Sequence, residues 1–306
     1  MLPTQKGSLR LFQVAGITVY LHWLWFVVAA WEIFDPLSRY HSVLWNALEY
    51  LALFGIVLLH EFGHALACRS VGGRAERIVL WPLGGVAYVQ PPQRPGAMLW
   101  SIAAGPLVNV VLLVVLTAVG QPLGLWAPQD NLQKWFQSLW FINFALLAFN
   151  LLPIYPLDGG QILRSLLWFL FGRARSLMVA SVIGFVGVIG MVALALLAQR
   201  VWFGILGVFI ALNCWRGLQA ARAMAKIDAL PQREGYRCPD CQSAPPAGAL
   251  WKCNQCGTAF DTFVTHATCP QCAQQFPVTR CVQCGGIYPL DAWLIPPPAI
   301  VDPSNG

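Results

Sequence analysis

His60, Glu61 and His64 stand in the stretch Leu51–Cys68, LALFGIVLLHEFGHALAC, which is otherwise almost wholly apolar. Histidines four apart on a helix project from one face and can grip a single metal ion. Glu61 lies about 100° round the helix from His60, beside such an ion and free to handle protons. This is H-E-x-x-H, the zinc metalloprotease pattern. The same letters arise by accident in soluble helices. Inside a membrane span, however, each charged group costs about 2.5–3.5 kcal/mol on insertion scales, which makes these three residues functional candidates.

A catalytic zinc keeps three protein ligands and one open position for water. Downstream of His64 the remaining histidine is His266, far along in the C-terminal part. Among the acids, Asp130 falls in a loop expected on the opposite side of the membrane, and Glu76 sits in a loop among arginines. Asp158 stands at the end of a span, in the Pro- and Gly-broken segment LPIYPLDGGQ, which can bend back towards a metal. Elimination leaves Asp158 as third ligand, with a helix N-cap as its competing role.

These residues need a membrane scaffold, and the composition supplies one. The 306 residues are 57% hydrophobic and only 10% charged, with mean hydropathy +0.59. A soluble domain carries about 25% charged residues. The expected fold is an all-α polytopic membrane protein of about six transmembrane helices with a short membrane-associated β segment, followed by a small zinc-ribbon domain. Apolar runs place the spans at Val14–Phe34, Val43–Cys68, Met98–Val119, Trp135–Leu152, Leu177–Leu197 and Val201–Ala221, with a further short helix at Ile162–Phe171. His22, in the first, reads as an interface histidine. Arg74–Gln90 alternates β-branched and polar residues and breaks at Pro82, Gly84 and Gly85, which predicts a strand or hairpin. Its open edge could hold an unwound substrate segment by backbone hydrogen bonds. No cleavable signal peptide is expected, because the first apolar stretch leads straight into further spans. Residues 1–226 form the membrane domain, 227–236 a linker, 237–290 the zinc-ribbon domain, and 291–306 a Pro-rich tail expected to be disordered.

Six spans put both termini on one side. With that side inside, the outer loops hold only Arg39, Lys134 and Arg200, and the other basic residues up to Lys226 fall within. The positive-inside rule therefore predicts a multi-pass protein, of the cell membrane if bacterial, with cytosolic N- and C-termini. Eight of the ten cysteines form four C-x-x-C pairs: Cys238/Cys241, Cys253/Cys256, Cys269/Cys272 and Cys281/Cys284. On the cytosolic side such pairs signal two structural Cys₄ zinc sites rather than disulfides. Pairing of sequence neighbours is the simplest arrangement, cross-bracing the alternative. From Gly235 onward Arg237, Lys252 and Arg280 face Asp240, Asp261, Asp291 and Asp302, and each zinc with four thiolates adds two negative charges. A phosphate-binding surface needs the opposite sign, so the tail is read as a protein-interaction or regulatory module, not a nucleic-acid binder.

HEFGH, then GPLVN at Gly105–Asn109, then NLLPIYPLDGG at Asn150–Gly160, resembles the site-2 protease family of intramembrane zinc metalloproteases. WPLGGVA at Trp81–Ala87 looks like the family's membrane-associated strand. The resemblance covers roughly residues 10–220 and is to the compact members without a PDZ-like insertion. It implies His60, His64 and Asp158 as zinc ligands, Glu61 as catalytic acid/base and Asn150 as a substrate-orienting residue. The tail resembles a double zinc ribbon. The expected function is an intramembrane zinc endopeptidase that cuts a transmembrane segment of a membrane protein by Glu61-assisted attack of zinc-bound water. It would use one catalytic and two structural Zn²⁺, with the lipid bilayer, a transmembrane substrate and a regulatory protein on the tail as partners. The alternative is a catalytically idle membrane scaffold that holds partners through its zinc ribbons.

Overall fold

A computed structural model describes residues 7–34, 39–81, 84–127, 129–199 and 201–295. The start of the polar leader, Pro82, Arg200 and most of the Pro-rich tail lie outside the described residues. The chain divides into two units, Met1–Ala221 and Arg222–Gly306.

In the first unit the order is β1 (Ser8–Val14), β2 (Ile17–His22), α1 (Leu24–Ile33), α2 (Val43–Ser70), β3 (Arg74–Trp81), β4 (Gly84–Gln90), α3 (Pro95–Gly120), α4 (Asn131–Asn150) and α5 (Asp158–Leu197). The next helix, α6 (Val201–Asp228), runs past Ala221 into the second unit. Among the described residues four helices are long and apolar enough to cross a membrane: α2, α3, α5 and the stretch Phe203–Asp228 of α6.

The expected first span at Val14–Phe34 is corrected here. Its first half is strand, and α1 is only 10 residues long. Ala15 and Gly16 both take positive φ, 48° and 72°, the backbone a two-residue hairpin turn requires. In ITVYLH the residues Ile17, Val19 and Leu21 alternate inward and are buried, the period of a strand and not of a helix. The sheet runs β1-β2-β3-β4, with β2 and β3 parallel and the other pairs antiparallel. The hairpin expected at Arg74–Gln90 is therefore half of a four-stranded sheet. Arg69, in the last turn of α2, binds the sheet to that helix by donating to the carbonyls of Ala15, Gly16 and Ala75. Ile17, Ile78 and Leu80 pack with Val57, Ala65 and Cys68 of α2 in the same core.

α2 packs most extensively on α3, and Gly63 lets the two backbones approach, since a Cβ there would collide with the Ala104 carbonyl. α4 begins with a capping box in which the Asp130 side chain accepts from the Gln133 N–H and the Gln133 side chain accepts from the Asp130 N–H. Asp130 is thus occupied as a cap. α5 joins the two apolar runs expected around residues 162–171 and 177–197, with Gly172 at φ 76°, ψ 174° as a break between them.

The second unit holds two small hairpins, β5–β6 (Trp251–Lys252 with Ala259–Phe260) and β7–β8 (Thr279–Arg280 with Ile287–Tyr288), and a 3₁₀ turn at Leu290–Trp293. Phe263 is buried at its centre, edge-on to Tyr236, Trp251 and Trp293 with ring centroids 5.0–5.4 Å away.

Candidate metal and catalytic site

The tertiary fold brings His60 and His64 of α2 to Asp158, the first residue of α5. His60 Nε2 lies 3.1 Å and His64 Nε2 3.3 Å from Asp158 Oδ2, and the two Nε2 atoms are 3.1 Å apart. His64 Nδ1 is 2.9 Å from the Ser101 carbonyl, which can only accept, so that nitrogen carries the proton. His60 Nδ1 lies 2.5 Å from Asn109 Oδ1 and donates likewise. Both Nε2 atoms therefore present lone pairs to each other and to a carboxylate oxygen that has no hydrogen-bond partner. Three electron-rich atoms converging in a buried site with no proton to share fit a cation between them. The donor set, two imidazoles and a carboxylate, is one that zinc takes.

Local sequence explains the convergence. Asp158 sits in the first turn of α5, where the helix dipole favours a carboxylate. Gly159 and Gly160 let that turn lie directly on the loop before it, since a Cβ on either would collide with the backbone of Leu151 or Ile154. Gly105 of α3 faces the histidines so closely that a Cβ would collide with both Nε2 atoms.

Glu61 is buried beside this cluster, and its Oε2 accepts the Ala87 N–H of β4 at 2.8 Å. A Cβ at Gly85, also on β4, would collide with the Glu61 carboxylate. The sheet's edge strand thus reaches the carboxylate directly.

Asn150 is the last residue of α4 and is half-buried. His22, at the end of β2, packs 4.4 Å from the Trp81 ring and accepts the Leu24 N–H through Nδ1, outside the metal-type cluster. Sequence reasoning quoted Gly105 and Asn109 only as part of a motif and passed over Ser101 and Asn143. A lone asparagine in the apolar run of α4 was the available signal for Asn143.

In the second unit the cysteines gather in two groups of four, Cys238/Cys241/Cys281/Cys284 and Cys253/Cys256/Cys269/Cys272. This corrects the expected pairing of sequence neighbours, and it is not cross-bracing either. The second and third pairs form an inner group, nested in the loop that the first and fourth close. The reason is in the turns: each C-x-x-C repeats one hydrogen-bond pattern, so spacing alone does not distinguish the partners. Sγ atoms of Cys238 and Cys284, Cys241 and Cys281, Cys253 and Cys272, and Cys256 and Cys269 lie 3.5–3.8 Å apart. A disulfide needs about 2.05 Å, whereas a tetrahedron with Zn–S near 2.3 Å sets sulfurs about 3.8 Å apart. Hydrogen bonding from Thr258 lowers the Cys256 thiol to about 6, and burial pushes Cys281 up to about 11.

Residues 49–194 match Peptidase family M50. This segment belongs to that family. The chain is 32% identical over 203 residues to a zinc metalloprotease of Methanocaldococcus jannaschii, covering 66% of this chain and 58% of the relative. It is 36% identical over 115 residues to stage IV sporulation protein FB of Bacillus subtilis, covering 37% of this chain and 38% of that one. Among solved structures it resembles the site-2 protease from Methanocaldococcus jannaschii, with TM-score 0.50 and 29% identity over 69% of this chain and 95% of that one. The chain spans only about half to two thirds of the length of the curated relatives it matches first. The M50 segment contains the whole His60–Glu61–His64–Asp158 cluster, and with four span-length apolar helices the chain is an integral membrane protein.

Proposed function

We propose that the chain is an intramembrane zinc endopeptidase that hydrolyses a peptide bond in the membrane-spanning segment of another protein. The observation that carries this reading is the buried convergence of His60 Nε2, His64 Nε2 and Asp158 Oδ2 with Glu61 alongside. His60, His64 and Asp158 hold the zinc. A bound zinc supplies Lewis acidity towards a water and towards the scissile carbonyl. Glu61 accepts the proton of the attacking water and delivers it to the leaving amine. The Ala87 N–H fixes its carboxylate in place, and Gly85 leaves it room. A substrate helix must unwind first, because its carbonyls are already hydrogen-bonded. β4, at the edge of the sheet and in contact with Glu61, offers a backbone to which the unwound segment adds as a strand. Asn150, between α4 and the Asp158 loop, orients that segment.

β1–β2 and β3–β4 share one sheet, so residues 8–22 and 74–90 lie on the same side of the membrane. With the arginines at 69, 74 and 77 this side is the cytosol. The tail takes two structural zincs and serves as a protein-interaction module.

Glu61→Gln tests the reading, because the amide keeps the shape and the zinc ligands but accepts no proton. Cleavage of a transmembrane substrate in liposomes is expected to fall about 10²–10⁴-fold with zinc content unchanged. Cleavage at the normal rate would remove Glu61 from the chemistry.

A further inference from the structure

Asn109 on α3 and Asn143 on α4 are both fully buried amides in apolar helices; Asn109 Oδ1 meets His60, and Asn143 has no role in the scheme above. They form a closed chain to the metal-type site. Asn143 Nδ2 donates to the Asn109 backbone carbonyl at 2.9 Å, Asn109 Nδ2 donates to Asn143 Oδ1 at 2.8 Å, and Asn109 Oδ1 accepts from His60 Nδ1.

The chemistry turns on which way round the Asn109 amide sits. A flipped amide would present its N–H to His60 Nδ1. His60 would then have to accept there and carry its proton on Nε2, the atom that faces Asp158 and His64. Such an imidazole cannot ligate through Nε2. Asn143 prevents the flip, because its Oδ1 requires a donor from Asn109 and its own amide is fixed by a backbone carbonyl that cannot rotate. His64 needs no such device, since its partner is the Ser101 carbonyl, which has only one sense.

We propose that Asn143 and Asn109 are positioning residues: Asn143 locks the Asn109 amide, and the locked amide holds His60 in the tautomer whose Nε2 is free for metal. The proposal rests on the reading of His60, His64 and Asp158 as metal ligands, and its test separates the two.

Zinc affinity of the full chain in detergent is measured by chelator competition, the membrane site being the zinc missing from the His60→Ala/His64→Ala variant. Asn109→Leu is expected to weaken that site about 10–100-fold and Asn143→Leu about tenfold, the usual range for a partner behind a ligand. Asn109→Asp accepts from Nδ1 whichever way it turns, but alone it sets a carboxylate oxygen where Asn143 Oδ1 needs a donor, so it is the double variant Asn109→Asp/Asn143→Leu that is expected to stay within about threefold of wild type. In the Asn109→Asp background, Asn143→Leu should then cost less than about twofold. A variant that is merely misfolded would not be rescued in this way. Equal cost of Asn143→Leu in both backgrounds, or no cost in either, overturns the relay while leaving the metal site standing. If the His60→Ala/His64→Ala variant binds as much zinc as wild type, the metal reading falls and the relay with it.

Discussion

In the membrane unit, three ligand-type side chains come from two long helices, and the two histidines among them are oriented by hydrogen bonds to Asn109 and to the Ser101 carbonyl. In the tail unit, eight cysteines come from four short turns, each with the same pattern. The residue after the second cysteine takes positive φ and donates its N–H to the carbonyl of the first, at 2.9–3.0 Å for Gln242, Gly257, Ala273 and Gly285. The first arrangement stands on the packing of long helices against one another. The second has two-residue strands and two small clusters, one around Phe263 and one around Phe260, so on the proposed reading its folding free energy comes largely from metal. On the reading proposed above, one region is a scaffold for a metal and the other a fold made by metals.

The largest effect expected from this contrast is on chelation. Structural zinc contributes about 10–16 kcal/mol in comparable small domains, so stripping zinc should unfold the tail and expose it to protease while the membrane helices keep their circular dichroism. Equal protection of both regions after chelation would erase the distinction. Nesting sharpens it further. The inner group, Cys253/Cys256/Cys269/Cys272, lies inside the loop closed by the outer one. Cys284→Ser should therefore cost one zinc and leave the inner site intact. Cys269→Ser should lose the inner zinc and also weaken the outer, whose loop becomes a longer floppy closure. Metal counts and chelator midpoints decide it; a symmetric response of the two variants would mean the sites fold independently.

How far the sequence shows each region follows from the same difference. His60 and His64 are four apart on one helix, so local spacing already puts them on one face. Asp158 is brought in by tertiary folding, yet few acids stand in an apolar chain, and elimination could single it out. Asn143 and Ser101 act through contacts between helices, one through an amide and the other through a backbone carbonyl, and no local pattern marks them. The stretch from Val14 to Phe34 was misread because a short apolar run looks alike as buried strand and as helix. The turn signal was Gly16, between alternating residues on either side. In the tail, four near-identical C-x-x-C turns carry no information about which pairs meet, so the nested grouping becomes visible only in three dimensions.

Smaller effects probe how tightly the membrane scaffold is fitted. Gly105→Ala places a methyl group against His60 and His64, and is expected to weaken the membrane-site zinc by about tenfold or more, as loss of ligand orientation does. Gly85→Ala pushes instead on Glu61, so zinc should stay and turnover should fall about a hundredfold. Zinc affinity and cleavage rate measured side by side give the answer. Loss of zinc in both variants would show that Glu61 and the ligands move as one block.

The smallest effect concerns the four tail turns. Gly257 and Gly285 take φ 76° and 78°, whereas Ala273 holds φ 57° in the same role with a side chain attached. Left-handed backbone costs a non-glycine residue about 1–2 kcal/mol, and glycine's extra freedom in the unfolded chain returns about 0.4–1 kcal/mol of that. Ala273→Gly should therefore stabilise the zinc-bound tail by up to about 1 kcal/mol, and Gly257→Ala should destabilise it by a similar amount. The midpoint of unfolding against chelator concentration should move in opposite directions for the two variants. Both moving the same way would mean that the turns are held by their metals so firmly that backbone preference no longer counts, and the tail would then resemble the membrane site in being a fixed frame.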